Sequence, residues 1–162
     1  MTLARAFPAA RLLVPVGIVL TLAAGSGLHA AETDALQQAE TAARGVMDDF
    51  LRAFNARNEA AWADTLVFPH VRMASGQVLV YPDRAAFVEA MDLAKFAEGT
   101  GWGHSTWDDM NVVQVSTDKV HIAVTFTRYD AGGDRMASFD SLYVVEKVNG
   151  RWGVRARSSF AP

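Results

Sequence analysis

From Ala42 onward apolar residues recur at spacings of three and four. Val46, Phe50, Leu51 and Phe54 alternate with Asp48, Asp49, Arg52 and Arg57. That period predicts a helix with one apolar stripe, broken at residues 55–58. Trp62 and Leu66, four apart, predict a second short helix over 59–66, and Pro69 stops it. Residues 70–73 and 77–81 read as two short strands around the turn Ala74-Ser75-Gly76. Pro82-Asp83 opens a third helix that turns Phe87, Met91 and Phe96 inward and closes near Gly99. After Gly103 the period becomes that of strands. Segments 105–115, 120–129, 136–147 and 152–160 are separated by turn sequences, among them Asp130-Ala131-Gly132-Gly133-Asp134 and Asn149-Gly150.

Helices first and strands last predict an α+β domain rather than a parallel doubly wound sheet. Four long strands joined by short turns form an antiparallel meander, whose apolar face the three helices must cover. A strongly curved sheet wrapped on helices makes a cone, and an open cone is a natural small-ligand site.

The N-terminal segment reads as an address rather than as part of the fold. Arg5 and Arg11 precede the uncharged run LLVPVGIVLTLAAGSGL, and the first acid is Glu32. A basic start, a short apolar stretch and the small-residue exit Ala30-Ala31 predict a secretory signal over 1–30. The densest apolar part is shorter than the roughly 20 residues a membrane span needs. The expectation is cleavage after Ala30 or Ala31, a polar N-terminal arm over 31–41 that is either loose or a frayed helix start, a domain over 42–162, and a periplasmic or secreted protein with no membrane attachment after cleavage. The 162 residues are 51% hydrophobic and 20% charged, an ordinary globular composition. Cysteine is absent, which excludes disulfides, thiol nucleophiles and thiolate metal sites. A net charge of −3 argues against a nucleic-acid partner.

In its element order and several local patterns the chain resembles the NTF2-like superfamily, in particular SnoaL-like domains. Phe50-Leu51-Arg52-Ala53-Phe54-Asn55-Ala56-Arg57-Asn58 with Trp62, then Phe68-Pro69-His70-Val71, and finally Asn149-Gly150-Arg151-Trp152-Gly153-Val154 carry the resemblance. It implies a cone of three helices on a mainly antiparallel sheet, and it implies a homodimer through that sheet. The superfamily holds isomerases, dehydratases, cyclases and epoxide hydrolases beside domains with no chemistry, so fold alone leaves activity open. Ketosteroid isomerases use an aspartate near the first strand and a tyrosine from the first helix. Here those places carry His70, and Phe50 and Phe54, which disfavours that activity.

Candidate chemistry centres on His70. It shares a strand face with Arg72 and Ala74, and its intrinsic pKa suits a general base. Arg128 extends the apolar face of Val120, Ile122, Val124 and Phe126 and is expected at the cone mouth, where a guanidinium can clamp an anion. Arg155 and Arg157 oppose the face of Trp152, Val154 and Ala156 and are expected in solvent. Trp102, flanked by glycines, is expected as a lid or a plug, and Trp62 and Phe87 as the apolar wall. Asp108 and Asp109 are adjacent and point to opposite faces of a strand, so only one of them can enter the cone. Asp140 on a partly apolar strand face requires a partner. His70, His104 and His121 lack the spacing of a metal site, and no phosphate loop, nucleophile elbow or nucleotide fingerprint occurs, so no metal or cofactor is expected. Three readings stay open beside each other: binding of a small, anionic or carbonyl-bearing molecule at His70, Arg72, Trp102, Arg128, Trp62 and Phe87, catalysis by His70 as general base, and a non-catalytic dimerisation module.

Overall fold

The computed structural model describes residues 23–162, and the proposed signal falls largely outside them. Helix α1 (Ala23–Asn55) is followed by α2 (Glu59–Asp64), strands β1 (Leu66–Ala74) and β2 (Gln77–Tyr81), and helices α3 (Arg84–Ala90) and α4 (Leu93–Thr100). Four long strands complete the chain: β3 (Trp102–Val115), β4 (Lys119–Asp130), β5 (Arg135–Val148) and β6 (Arg151–Ser159). The segment expected as a polar arm is part of α1. Residues 29–34 of that helix are exposed, and among the described residues its buried face begins at Ala39. Among the described residues no helix is long and apolar enough to cross a membrane.

The six strands form one mixed sheet in the order β2-β1-β6-β5-β4-β3. The meander β3 to β6 is antiparallel throughout, as its short turns require, and β1 joins it parallel to β6. The helical stripe of α1 and the inner sheet face meet in one core. Met47, Phe50, Trp62, Leu66, Phe87, Val120, Ile122, Tyr143, Val145 and Val154 are buried there. Aromatic rings join edge to face at its centre: Phe50 lies 5.3 Å from Trp62 and 5.5 Å from Tyr143, and Trp62 lies 5.0 Å from Phe87.

The third helical segment divides in two. Met91 takes extended backbone angles, and the Asp92 carboxylate then accepts the Lys95 N–H at 2.8 Å as the N-cap of α4. Leu66 falls in β1 rather than at the end of α2, because Thr65 closes that helix by donating both its N–H and its hydroxyl to the Trp62 carbonyl. Gly101, at φ 75°, ends α4, and Trp102 begins a strand instead of lying in a loop.

Three irregularities in the ladders decide what the sheet presents to its inner face. Val145 pairs with Val154 but Val144 pairs with Ala156, so Arg155 is an extra residue in β6. Trp107 pairs with Phe126 but Asp109 pairs with Thr125, so Asp108 is an extra residue in β3. The ladder of β1 with β6 breaks between Leu66 and Val71, around Pro69, which has no N–H to give it.

Candidate functional site

Between α2, α3–α4 and the inner faces of β1, β2, β4 and β6 lies a cavity of about 300 Å³. Its apolar wall is Phe54, Trp62, Leu79, Met91 and Phe96, and its polar wall is Arg72, Tyr81, Asp92, Arg128 and Arg157. Each arginine arrives by strand parity. Arg72 is two residues beyond His70 on the inner face of β1. Arg128 continues the buried row Val120, Ile122, Val124, Phe126 of β4. Arg157 enters because the extra residue Arg155 reverses parity in β6: Val154 and Arg157 both face inward, opposite Val145 and Tyr143. Arg72 and Arg157 are register partners in the parallel ladder, which sets two cations side by side.

The guanidiniums rest on aromatic faces. Arg128 lies 5.2 Å from the ring centre of Phe96 and 5.1 Å from that of Phe139, and Arg157 lies 5.4 Å from Phe126 and 5.5 Å from Tyr143. Such contacts orient a guanidinium but leave its charge uncompensated. None of the three is in a salt bridge among the described residues, whereas Arg44, Arg52, Arg84 and Arg155 all are. Burial holds the Arg72 and Arg128 pKa values below the usual arginine range, and the nearby Arg157 charge pushes the same way. Burial raises the Tyr81 phenol. The one carboxylate on the wall, Asp92, is exposed and engaged as the cap of α4.

The expected site residues divide. Arg72, Arg128 and Trp62 meet at the cavity. Phe87 is 1% exposed and stands behind the wall, 5.0 Å from Trp62 and 5.1 Å from Tyr81. Trp102 is a plug, not a lid: it is 1% exposed, packs 4.6 Å from Phe54 and 5.5 Å from Phe96, and donates its indole N–H to Ser105 Oγ at 2.9 Å. His70 does not reach the cavity. It is 3% exposed, enclosed by Tyr81 and Phe87, with Nδ1 3.1 Å from the Val154 carbonyl. Burial, opposed by that carbonyl, lowers its pKa to about 4. The ring is therefore neutral, its Nδ1–H donates to backbone, and no bound molecule can meet it without the core opening.

The other charged residues fall as follows. Asp108 and Asp109 both stay exposed, because the extra residue in β3 lets Trp107 and Met110 take successive inward places. Asp140 lies on the outer face and accepts a hydrogen bond from Thr125 Oγ1 at 2.7 Å. Arg155 pairs with Glu146 at 2.8 Å. Arg157, expected in solvent, is the third cation of the cavity.

A family model described as NTF2-like protein (DUF6841) matches residues 38–159. The chain belongs to this NTF2-like family. No curated protein matches it. Solved structures share the fold of this NTF2-like domain at low identity. An NTF2-like protein with a cystatin-like fold from Novosphingobium aromaticivorans aligns with TM-score 0.66 and 10% identity, over 88% of this chain and 91% of its own. A ketosteroid isomerase-like protein from Erwinia carotovora atroseptica gives 0.54 and 20%, over 75% and 96%. A protein from Catenulispora acidiphila in complex with S-DNPA gives 0.59 and 15%, over 75% and 91%. These likenesses establish the NTF2-like fold and leave the contents of the cavity to this chain's own residues.

Proposed function

We propose that this NTF2-like domain is an exported binding module for a small organic anion with an apolar or aromatic body. The observation that carries the reading is the convergence of Arg72, Arg128 and Arg157 on one aromatic-walled cavity without a paired carboxylate. Three like charges at one cavity oppose one another and are costly to bury, so a resident anion relieves the arrangement. The planar guanidiniums suit a carboxylate or phosphate, and Phe54, Trp62 and Phe96 suit a flat apolar body. Binding rather than turnover is favoured because His70 is sealed in the core and Asp92 is committed to its helix cap. Export rests on Arg5, Arg11, the uncharged run and the Ala30-Ala31 exit.

The test is a thermal-shift and calorimetric comparison of benzoate, phenyl phosphate, benzamide and benzylamine. Either or both of the two anions should stabilise the protein saturably, and the neutral amide and the amine should not. Arg72→Met and Arg128→Met should each weaken that binding by roughly 10- to 100-fold, the loss of a charge-assisted contact. Equal binding of benzoate and benzamide, or anion binding indifferent to both substitutions, would refute the reading.

A further inference from the structure

A second chamber adjoins the first. It holds about 20 Å³ of free space, and Arg128, Arg157 and Phe54 belong to the walls of both. Ser105, Trp107 and Tyr143 enclose its far side. Four buried side-chain nitrogens among the described residues have no hydrogen-bond partner: Trp62 Nε1, Trp107 Nε1, Arg128 Nε and Arg157 Nε. All four belong to residues that line one chamber or both, and all four are donors. Buried donors are normally paired, and the fold does pair Trp102 Nε1 and His70 Nδ1 nearby. Ser105 Oγ accepts from Trp102, so its own hydrogen is left to point elsewhere. No Asp, Glu, Asn or Gln lines the small chamber.

We propose that the small chamber is an oxygen-sized specificity subsite, which receives one oxygen of the ligand's anionic group while the ligand body occupies the larger chamber. This rests on the anion-binding reading above. Space for one water-sized group needs roughly 10–15 Å³, so the chamber admits a single oxygen and no bulkier substituent. The unpaired wall nitrogens are all donors, so the chamber favours an acceptor atom. A carboxylate, phosphate or carbonyl oxygen meets both conditions, and the two guanidiniums at its mouth favour the charged oxygen over the carbonyl. Arg128 and Arg157 hold the charge at the junction, and Trp107 reads the oxygen beyond them.

The experiment is an NMR titration of the whole protein with 15N-labelled tryptophan, using benzoate and phenyl phosphate, beside calorimetry on Trp107→Phe. The Trp107 indole resonance, assigned through the variant or by sequential assignment, should move downfield saturably, and that of Trp152 should stay in place. Trp107→Phe should weaken anion binding about tenfold or more, the loss of one hydrogen bond to a charged acceptor. Saturable, Arg72-dependent binding with an unmoved Trp107 resonance would overturn the subsite and leave anion binding intact. No saturable response to either anion would overturn both. If the variant does not fold, the wild-type titration decides alone.

Discussion

A histidine that looks catalytic in sequence can be a structural group, and His70 has a measurable signature of that role. Its pKa falls to about 4, first through burial and then through the Arg157 charge, with the Val154 carbonyl opposing. An unfolded histidine titrates near 6.5. Between those values the unfolded chain binds more protons than the folded one, so stability rises with pH. The contribution is complete above about 6.5 and is lost as pH falls toward 4, amounting to about 3 kcal/mol. His70→Phe should keep the ring contacts with Tyr81 and Phe87 and lose the bond to Val154, for about 1 kcal/mol at neutral pH. It should also flatten the dependence. Urea midpoints measured from pH 7.5 to 4.5 should fall more steeply for the wild type than for the variant. Parallel slopes would show that another group carries the pH dependence.

At the scale of elements, regular periodicity was legible and its interruptions were not. The stripe of α1, the meander, and the inward rows ending in Arg72 and Arg128 follow from periods of 3.6 and 2. Strict alternation in β6 assigns Val154 and Ala156 to the core and Arg157 to water. The extra residue Arg155 reverses that parity, and with it the count of cavity cations. The corresponding irregularity in β3 keeps both Asp108 and Asp109 outside. One usable signal existed: Gly153 near the start of the last strand pattern marks a bulge or a close backbone approach. Both occur here. A Cβ on Gly153 would lie 2.9 Å from the Leu66 carbonyl carbon and 3.0 Å from the Thr65 oxygen, which already accepts the Val154 N–H at 2.9 Å. Gly153→Ala must therefore push β6 off the start of β1. It should destabilise the domain by about 1–3 kcal/mol in urea unfolding and weaken anion binding through misplacement of Arg157. Wild-type stability and affinity in this variant would show that the ladder yields without moving the arginine.

The whole molecule is acidic, at −3, around a cationic interior, and cleavage of the proposed signal would remove Arg5 and Arg11 and make it more so. The outer field therefore does not gather anions, and affinity must come from the cavity itself. Residues 29–34 are exposed along α1, Ala39 is the first buried side chain among the described residues, and the helix is tied to the sheet by Arg44, which bonds Glu40 at 2.9 Å and the Met110 carbonyl at 2.9 Å. A chain that begins at Glu32 keeps all of these. It also opens its helix with Glu32 and Asp34, whose charges suit the positive end of the helix dipole. Its melting temperature should match that of the longer chain. A chain that begins at Arg44 loses Ala39, Glu40 and Ala43 from the packed face and should melt several degrees lower. Intact-mass measurement on protein from the native host should find Ala31 or Glu32 first; an uncleaved chain in the cytosol would refute export, and a lower melting temperature for the Glu32 chain would place the folding boundary upstream of the proposed cleavage site.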